Sequence, residues 1–227
     1  MSPDQHELWI DMGTDLEGVK ALGIEVGNMA IFDDKFSQVG NYYTCRALDN
    51  KIGGYIIAET VRYIKENNIE LPFDLFVVNS VQEEVGLHGA KMIAQRLKPD
   101  FALVHDVCHN TDTPKMDKAK DCDVKGGLGP TIQYTAQNHR EVLKQIRKVA
   151  TENEIPLQLE IGSYGNDTMG FFLANGGIPT AIISTPLKYM HTTCEMAHID
   201  DVSNAVKLFV ETLKSIDSDF IDKLHNR

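Results

Sequence analysis

Five side chains carry the chemistry this sequence offers: Asp49, Glu83, Glu84, Asp106 and His191. Each follows a β-like run. Asp49 follows 42–48, Glu83 and Glu84 follow 75–82, Asp106 follows 101–105, and His191 lies in the loop after 178–184. In open α/β sheets the carboxyl ends of strands face the binding crevice, so four strand ends would bring these groups together. Crowded carboxylates raise one another's pKa unless divalent cations sit between them. Oxygen ligands with an imidazole suit Zn²⁺, Mn²⁺ or Co²⁺ without thiolates. Two such ions bridged by one carboxylate lower the pKa of a shared water and clamp the reacting oxygens. The neighbours Glu83 and Glu84 point to different sides, so one can bind metal while the other moves protons.

Plainer roles fit the same residues. Asp49 opens a helix and can be its N-cap. A Glu pair at a strand end can be a solvated loop, and a single histidine can be a satisfied surface group. Spacing alone leaves both readings open.

The elements that must position these groups follow from periodicity. Residues 49–67 place Ile52, Ile56, Ile57, Val61 and Ile64 on one helical face. The spacing then predicts a buried strand over 75–81, a helix over 86–97 and a strand over 101–104, a unit that makes parallel neighbours. Further on it predicts a helix over 140–153, a strand over 157–161, a helix over 167–174 capped by Asp167, and a strand over 178–184. One long helix over 202–224 follows, with Asp200 and Asp201 as caps. The fold class is α/β, a mixed and mostly parallel sheet layered with helices. Residues 1–42 read differently, as a small β-rich region: β-like pieces at 7–11 and 29–32 and a helix over 17–22 lie among glycines. The domain proper is expected over 43–227.

The chain has 227 residues and a net charge of −11, which opposes a general nucleic-acid binder. No window approaches about 18 consecutive apolar residues, so no membrane partner is expected. Cys45, Cys108, Cys122 and Cys194 form no C-x-x-C pair, the usage of free thiols in a reducing, cytoplasmic compartment.

The strings Ala47-Leu-Asp-Asn-Lys-Ile-Gly53, Val81-Gln-Glu-Glu-Val-Gly-Leu-His-Gly-Ala90 and Tyr189-Met-His191 resemble the glutamyl and deblocking metallo-aminopeptidases, called tetrahedral aminopeptidases, some of whose relatives carry an endoglucanase label. Gly126-Gly-Leu-Gly-Pro130, Tyr164-Gly-Asn-Asp-Thr168 and Gly176-Gly-Ile-Pro179 support the resemblance, which runs from about residue 8 to about residue 216. It implies a zinc-exopeptidase-like fold and hydrolysis of the N-terminal residue of peptides through a metal-activated water. It implies Asp49 as the carboxylate bridging two Zn, Co or Mn ions and Glu83 as the general base. Glu84 and His191 would complete one ion's shell, and Asp106 would serve the other.

The same resemblance implies an N-terminal segment that these 227 residues do not contain, and it is that segment which carries the family's His-x-Asp motif, whose histidine binds one metal. One metal is therefore expected to bind well and the second weakly, with edge strands and apolar surface left open. His105 and His109 flank Asp106 and are candidates to replace that histidine, while Cys45, Cys108 and Cys194 are placed to line the crevice. His88 stands where relatives carry arginine, with a neutral effect expected. The family forms homo-oligomeric shells through its small domain, but a dodecamer is not expected here. The alternative to an enzyme is a non-catalytic, metal-binding fragment or assembly module of the same fold. A glycosidase is disfavoured, because adjacent Glu83 and Glu84 do not make a facing acid pair and His191 would have no role.

Overall fold

The computed structural model describes residues 4–33, 35–162 and 165–225. The chain divides into two compact units, Met1–Asp33 and Asp34–Arg227. In the first, a 3₁₀ turn at Gln5–Glu7 precedes α1 (Leu16–Ala21), which Asp15 caps by accepting the Gly18 N–H. The β-like pieces at 7–11 and 29–32 are not strands, and the described residues of this unit contain none. A β pattern becomes a strand only with a partner to pair with, and neither piece finds one.

The second unit is a seven-stranded mixed sheet with helices. Its strands are β1 (Ser37–Val39), β2 (Tyr42–Cys45), β3 (Ala102–His109), β4 (Thr131–Gln133), β5 (Gln158–Glu160), β6 (Thr180–Lys188) and β7 (Glu195–His198). The helices are α2 (Leu48–Glu66), α3 (His88–Leu97), α4 (Lys118–Asp121), α5 (Arg140–Glu152), α6 (Thr168–Phe172), α7 (Ile199–Lys214) and α8 (Ser218–His225). The order runs β1-β2-β7-β6-β4-β5, with β3 on the other side of β6.

The mixed α/β class stands, but the sheet is not mostly parallel: only β3–β6 and β4–β5 are parallel pairs, and the other four are antiparallel. Short connections explain this. The turn at Gly40 joins β1 to β2 and six residues join β6 to β7, lengths that fit a hairpin and not a crossover.

The expected strand over 75–81 is likewise absent. Phe76, Val77 and Val81 are 61%, 48% and 65% exposed. A strand there could pair only with the outer edge of β3, and its own far edge would face no strand among the described residues.

Ile52 and Ile56 of α2, Leu143 and Ile146 of α5 and Leu208 of α7 pack with Ile132 of β4 and Ile183 and Leu187 of β6 into the main core. Each is at most 5% exposed, so the periodicity that marks these helices is the face they bury. The C-terminal helix is two helices and not one. Asp217 accepts the Phe220 N–H at 2.8 Å and caps α8, while the Ser215 hydroxyl turns back to the Thr212 carbonyl at 2.7 Å. Nor do Asp200 and Asp201 cap α7. The His198 ring does, accepting the Asp200 N–H at 3.2 Å, and the buried Asp201 accepts from the Gly127 and Gly129 N–H groups at 2.7 Å each.

Among the described residues no helix is long and apolar enough to cross a membrane. No disulfide joins the four cysteines.

Candidate metal centre

The approach to α2 is built so that Asp49 need not cap it. Ala47 takes the left-handed conformation at φ 55°, Asp49 and Asn50 are non-helical, and the peptide between them is cis. Asn50 does the capping: its Oδ1 accepts the Gly53 N–H at 2.9 Å, while its Nδ2 donates to the His105 carbonyl and to Asp106 Oδ1, both at 3.1 Å. Gly53 must be glycine for this packing, since a Cβ there would stand 2.6 Å from His105 Nδ1. The N-cap reading of Asp49 is therefore corrected, and its carboxylate is available to the site.

His191 arrives from the β6–β7 loop with φ 61°, a conformation that costs a side-chain-bearing residue energy unless its surroundings fix it. The fixing group is Glu195, 2% exposed at the start of β7. One of its oxygens accepts the His191 N–H at 2.8 Å and the other the Asp49 N–H at 3.0 Å. This residue carried no signal in the sequence, because β7 has only four residues and no alternation long enough to read.

His191 Nε2 then lies 3.1 Å from Asp49 Oδ2 and 3.5 Å from Glu84 Oε1. One ligand atom from each of Asp49, Glu84 and His191 falls within 4.8 Å of the others. All five expected residues line one cavity of about 130 Å³. Asp106 and Glu83 share this cavity but stand outside the three-residue cluster.

Asp106 lies within β3 and not after it, and its Oδ1 is occupied by the Asn50 amide and by the Val107 N–H at 2.9 Å. A second cavity, of about 650 Å³, opens against Asp49, Glu83, Glu84 and Asp106 and is walled by residues 73–80.

The charges in this space strain against one another. Burial first, then the Glu84 charge, pushes Asp49 up to about 6 against the pull of His191. Burial, then Glu84, Asp167 and Asp49, raises Glu83 to about 7. Asp106 reaches about 8, mainly through burial, although its bond from Val107 opposes the rise. Two carboxylates and an imidazole converging on one point, with two more acids beside them, fit a divalent cation of the Zn, Mn or Co type.

His105 does not belong here. Strand alternation turns it to the helix side of the sheet, against Phe209 and 3.0 Å from Thr185 Oγ1, and burial lowers its pKa to about 3. His109 lines the smaller cavity without joining the cluster. Of the three cysteines placed near the crevice only Cys108 lines the smaller cavity, its thiol held protonated by burial. Cys194 instead meets Thr44 Oγ1 at 3.2 Å, and Cys45 packs on the core. Asp167 makes no side-chain cap bond to α6 and accepts from the Ser80 hydroxyl. Tyr164 lies outside the described residues.

Residues 1–208 match the sequence family described as M42 glutamyl aminopeptidase. A protein of Acetivibrio thermocellus that carries an aminopeptidase name is 36% identical over 211 residues, 91% of this chain and 62% of its own length. The solved aminopeptidase APDkam598 of the archaeon Desulfurococcus kamchatkensis superposes with a TM-score of 0.92 at 29% identity, covering 99% of this chain and 64% of that one. The TET1 peptidase of Pyrococcus horikoshii, described as assembling into a tetrahedron or a large octahedral shell, gives a TM-score of 0.76 at 28% identity over 88% of this chain and 59% of its own. These 227 residues thus span about three fifths of the length of the relatives they match.

Proposed function

Because the chain belongs to the M42 glutamyl aminopeptidase family, we propose that it removes the N-terminal residue of peptides, with Asp49, Glu84 and His191 holding a divalent cation and Glu83 acting as general base. The observation that carries this reading is the convergence of the three ligand atoms within 4.8 Å beside Glu83 in one cavity.

A bound cation of this kind supplies Lewis acidity, polarising the scissile carbonyl and acidifying water. The residues do the rest. Glu83, beside the three ligand atoms in the same cavity, is placed to take a proton from the attacking water and pass it to the leaving amine. Glu195 fixes the backbones of Asp49 and His191, so the ligand atoms need little rearrangement when loaded.

A second ion would find Asp49 and Asp106 but no second imidazole in the ligand cluster, and one Asp106 oxygen is already engaged. It is held weakly. Zinc is the ion the donor set favours, and a cytoplasmic site of action matches the cysteine usage. Self-association into a homo-oligomer is part of this reading.

The test is hydrolysis of an aminoacyl anilide panel with and without added Zn²⁺, Mn²⁺ or Co²⁺, for the wild type and Glu83→Gln. Metal-dependent cleavage that E83Q abolishes without losing metal supports the reading. Metal binding with no cleavage by the wild type supports the alternative, a non-catalytic metal-binding module.

A further inference from the structure

One face of the sheet carries a row of polar groups that, beyond Asp106, the proposed chemistry leaves unused. Asp106 on β3 is in register with Ser184 on β6, Ser184 with Thr131 on β4, and Gln133 on β4 with Glu160 on β5. Because side chains alternate along a strand, all of these point to the same face, opposite the helix-covered side where Ile132 and Ile183 are buried. Glu160 ends the row. It is 5% exposed and lines the same 130 Å³ cavity as Asp49, Glu84 and His191.

Its partners are neutral donors, Thr131 Oγ1 at 3.1 Å and Gln133 Nε2 at 3.4 Å, with the Cys108 thiol beside it. Asn166, at 3.3 Å from Gln133 Oε1, orients that amide so that its N–H faces Glu160. No Lys, Arg or His pairs with Glu160 among the described residues. A carboxylate has about four acceptor sites, and these contacts leave room for another donor on the cavity side. The cavity volume equals that of about four waters, enough for one side chain and too small for a folded segment.

We propose that Glu160, set by Gln133, Thr131 and Asn166, selects peptides whose N-terminal residue carries a side-chain ammonium, as lysine does. The inference rests on the reading above, in which the substrate's N-terminus meets Asp49, Glu84 and His191, and names the substrate class of that site. The ammonium of a lysine side chain supplies the cation that this buried carboxylate lacks, while a glutamyl side chain meets repulsion in the same place. Glu160 touches the substrate side chain and not the reacting atoms, so it determines specificity and takes no part in bond breaking.

Calorimetric titration of the full chain with L-lysinamide and L-norleucinamide tests this, since the two probes differ by the terminal ammonium. Lysinamide is expected to bind tighter by about tenfold or more. In Glu160→Gln the difference disappears while norleucinamide binding is unchanged. Equal affinity of the wild type for the two probes, binding of neither, or an E160Q loss shared equally by both would overturn the proposal, and the wild-type comparison needs no variant to fold. Hydrolysis of lysyl and norleucyl anilides is a separate arm. Retained lysinamide preference without cleavage of either anilide refutes the aminopeptidase reading and leaves the assignment of Glu160 standing.

Discussion

The carboxylate of Glu195 accepts the backbone N–H of Asp49 at 3.0 Å across 146 residues of sequence. Its other oxygen holds the His191 N–H, so one buried side chain sets the spacing of two proposed ligands that arise from distant parts of the chain. Replacing it with Gln keeps the shape but exchanges one acceptor for a donor that would face an N–H. Glu195→Gln is expected to cost about 1–3 kcal/mol of stability and about 10–100-fold in zinc affinity. Urea unfolding and competitive zinc titration measure the two effects. A variant that loses stability but keeps wild-type zinc affinity would show that Glu195 only braces the fold.

Asn50 joins the start of α2 to Asp106. Asn50→Ala removes both the cap on Gly53 and the donor to Asp106, and a destabilisation of about 1–2 kcal/mol is expected. Asn50→Asp restores the capping oxygen but sets a charge 3.1 Å from Asp106 Oδ1. Because burial already raises Asp106 to about 8, the pair of acids is tolerated while it shares a proton, so N50D should recover most stability below about pH 8 and least above it. Equal stability of the two variants at every pH would contradict this role for Asn50.

Why the site was largely legible, and much of its setting was not, follows from where the signals lie. Asp49, Glu83, Glu84 and His191 sit in short strings whose wording is local, and α2 and α5 announce themselves by a repeating apolar face. Glu195 and Glu160 could not be read in this way. Their importance comes from register between strands of three or four residues, too short to show alternation. The expected strand over 75–81 shows the converse. Its composition is that of a strand, but pairing is a tertiary matter, and β3 offers only one edge.

Ionisation of the centre opposes the fold when no cation is bound. Asp49, Glu83 and Asp106 have folded pKa values of about 6, 7 and 8, all above the ordinary carboxylate range. An acid whose pKa is raised by folding stabilises the fold while protonated. That contribution is complete below about pH 4 and is lost as the pH rises from about 4 to about 8. Chelator-treated protein is therefore expected to lose melting temperature between about pH 5 and about pH 8.5, and Asp106→Asn to lose less. Added zinc should restore more stability at the higher pH, because its ligands must be deprotonated. Scanning calorimetry with and without zinc at the two pH values checks the sign, and a larger zinc effect at the acidic pH would refute it.

In the main core, Leu208 of α7 is fully buried among residues of α2, α5 and the sheet. Leu208→Ala should cost about 2–5 kcal/mol. It should leave the zinc affinity of the remaining folded protein unchanged, since Leu208 lines neither of the two cavities beside the cluster. Equilibrium denaturation read beside zinc titration separates the two effects. A parallel fall in zinc affinity would mean that the core and the centre are coupled.

The most direct test of the metal centre is zinc bound per chain, measured by mass spectrometry after dialysis against buffered trace zinc, for the wild type and for His191→Ala. His191 supplies the imidazole 3.1 Å from Asp49 and 3.5 Å from Glu84, so its removal leaves only carboxylates in the cluster. One tightly held zinc per wild-type chain is expected, with loss of that ion in H191A and the variant still folded by circular dichroism. Retention of the zinc by H191A at wild-type affinity would contradict it.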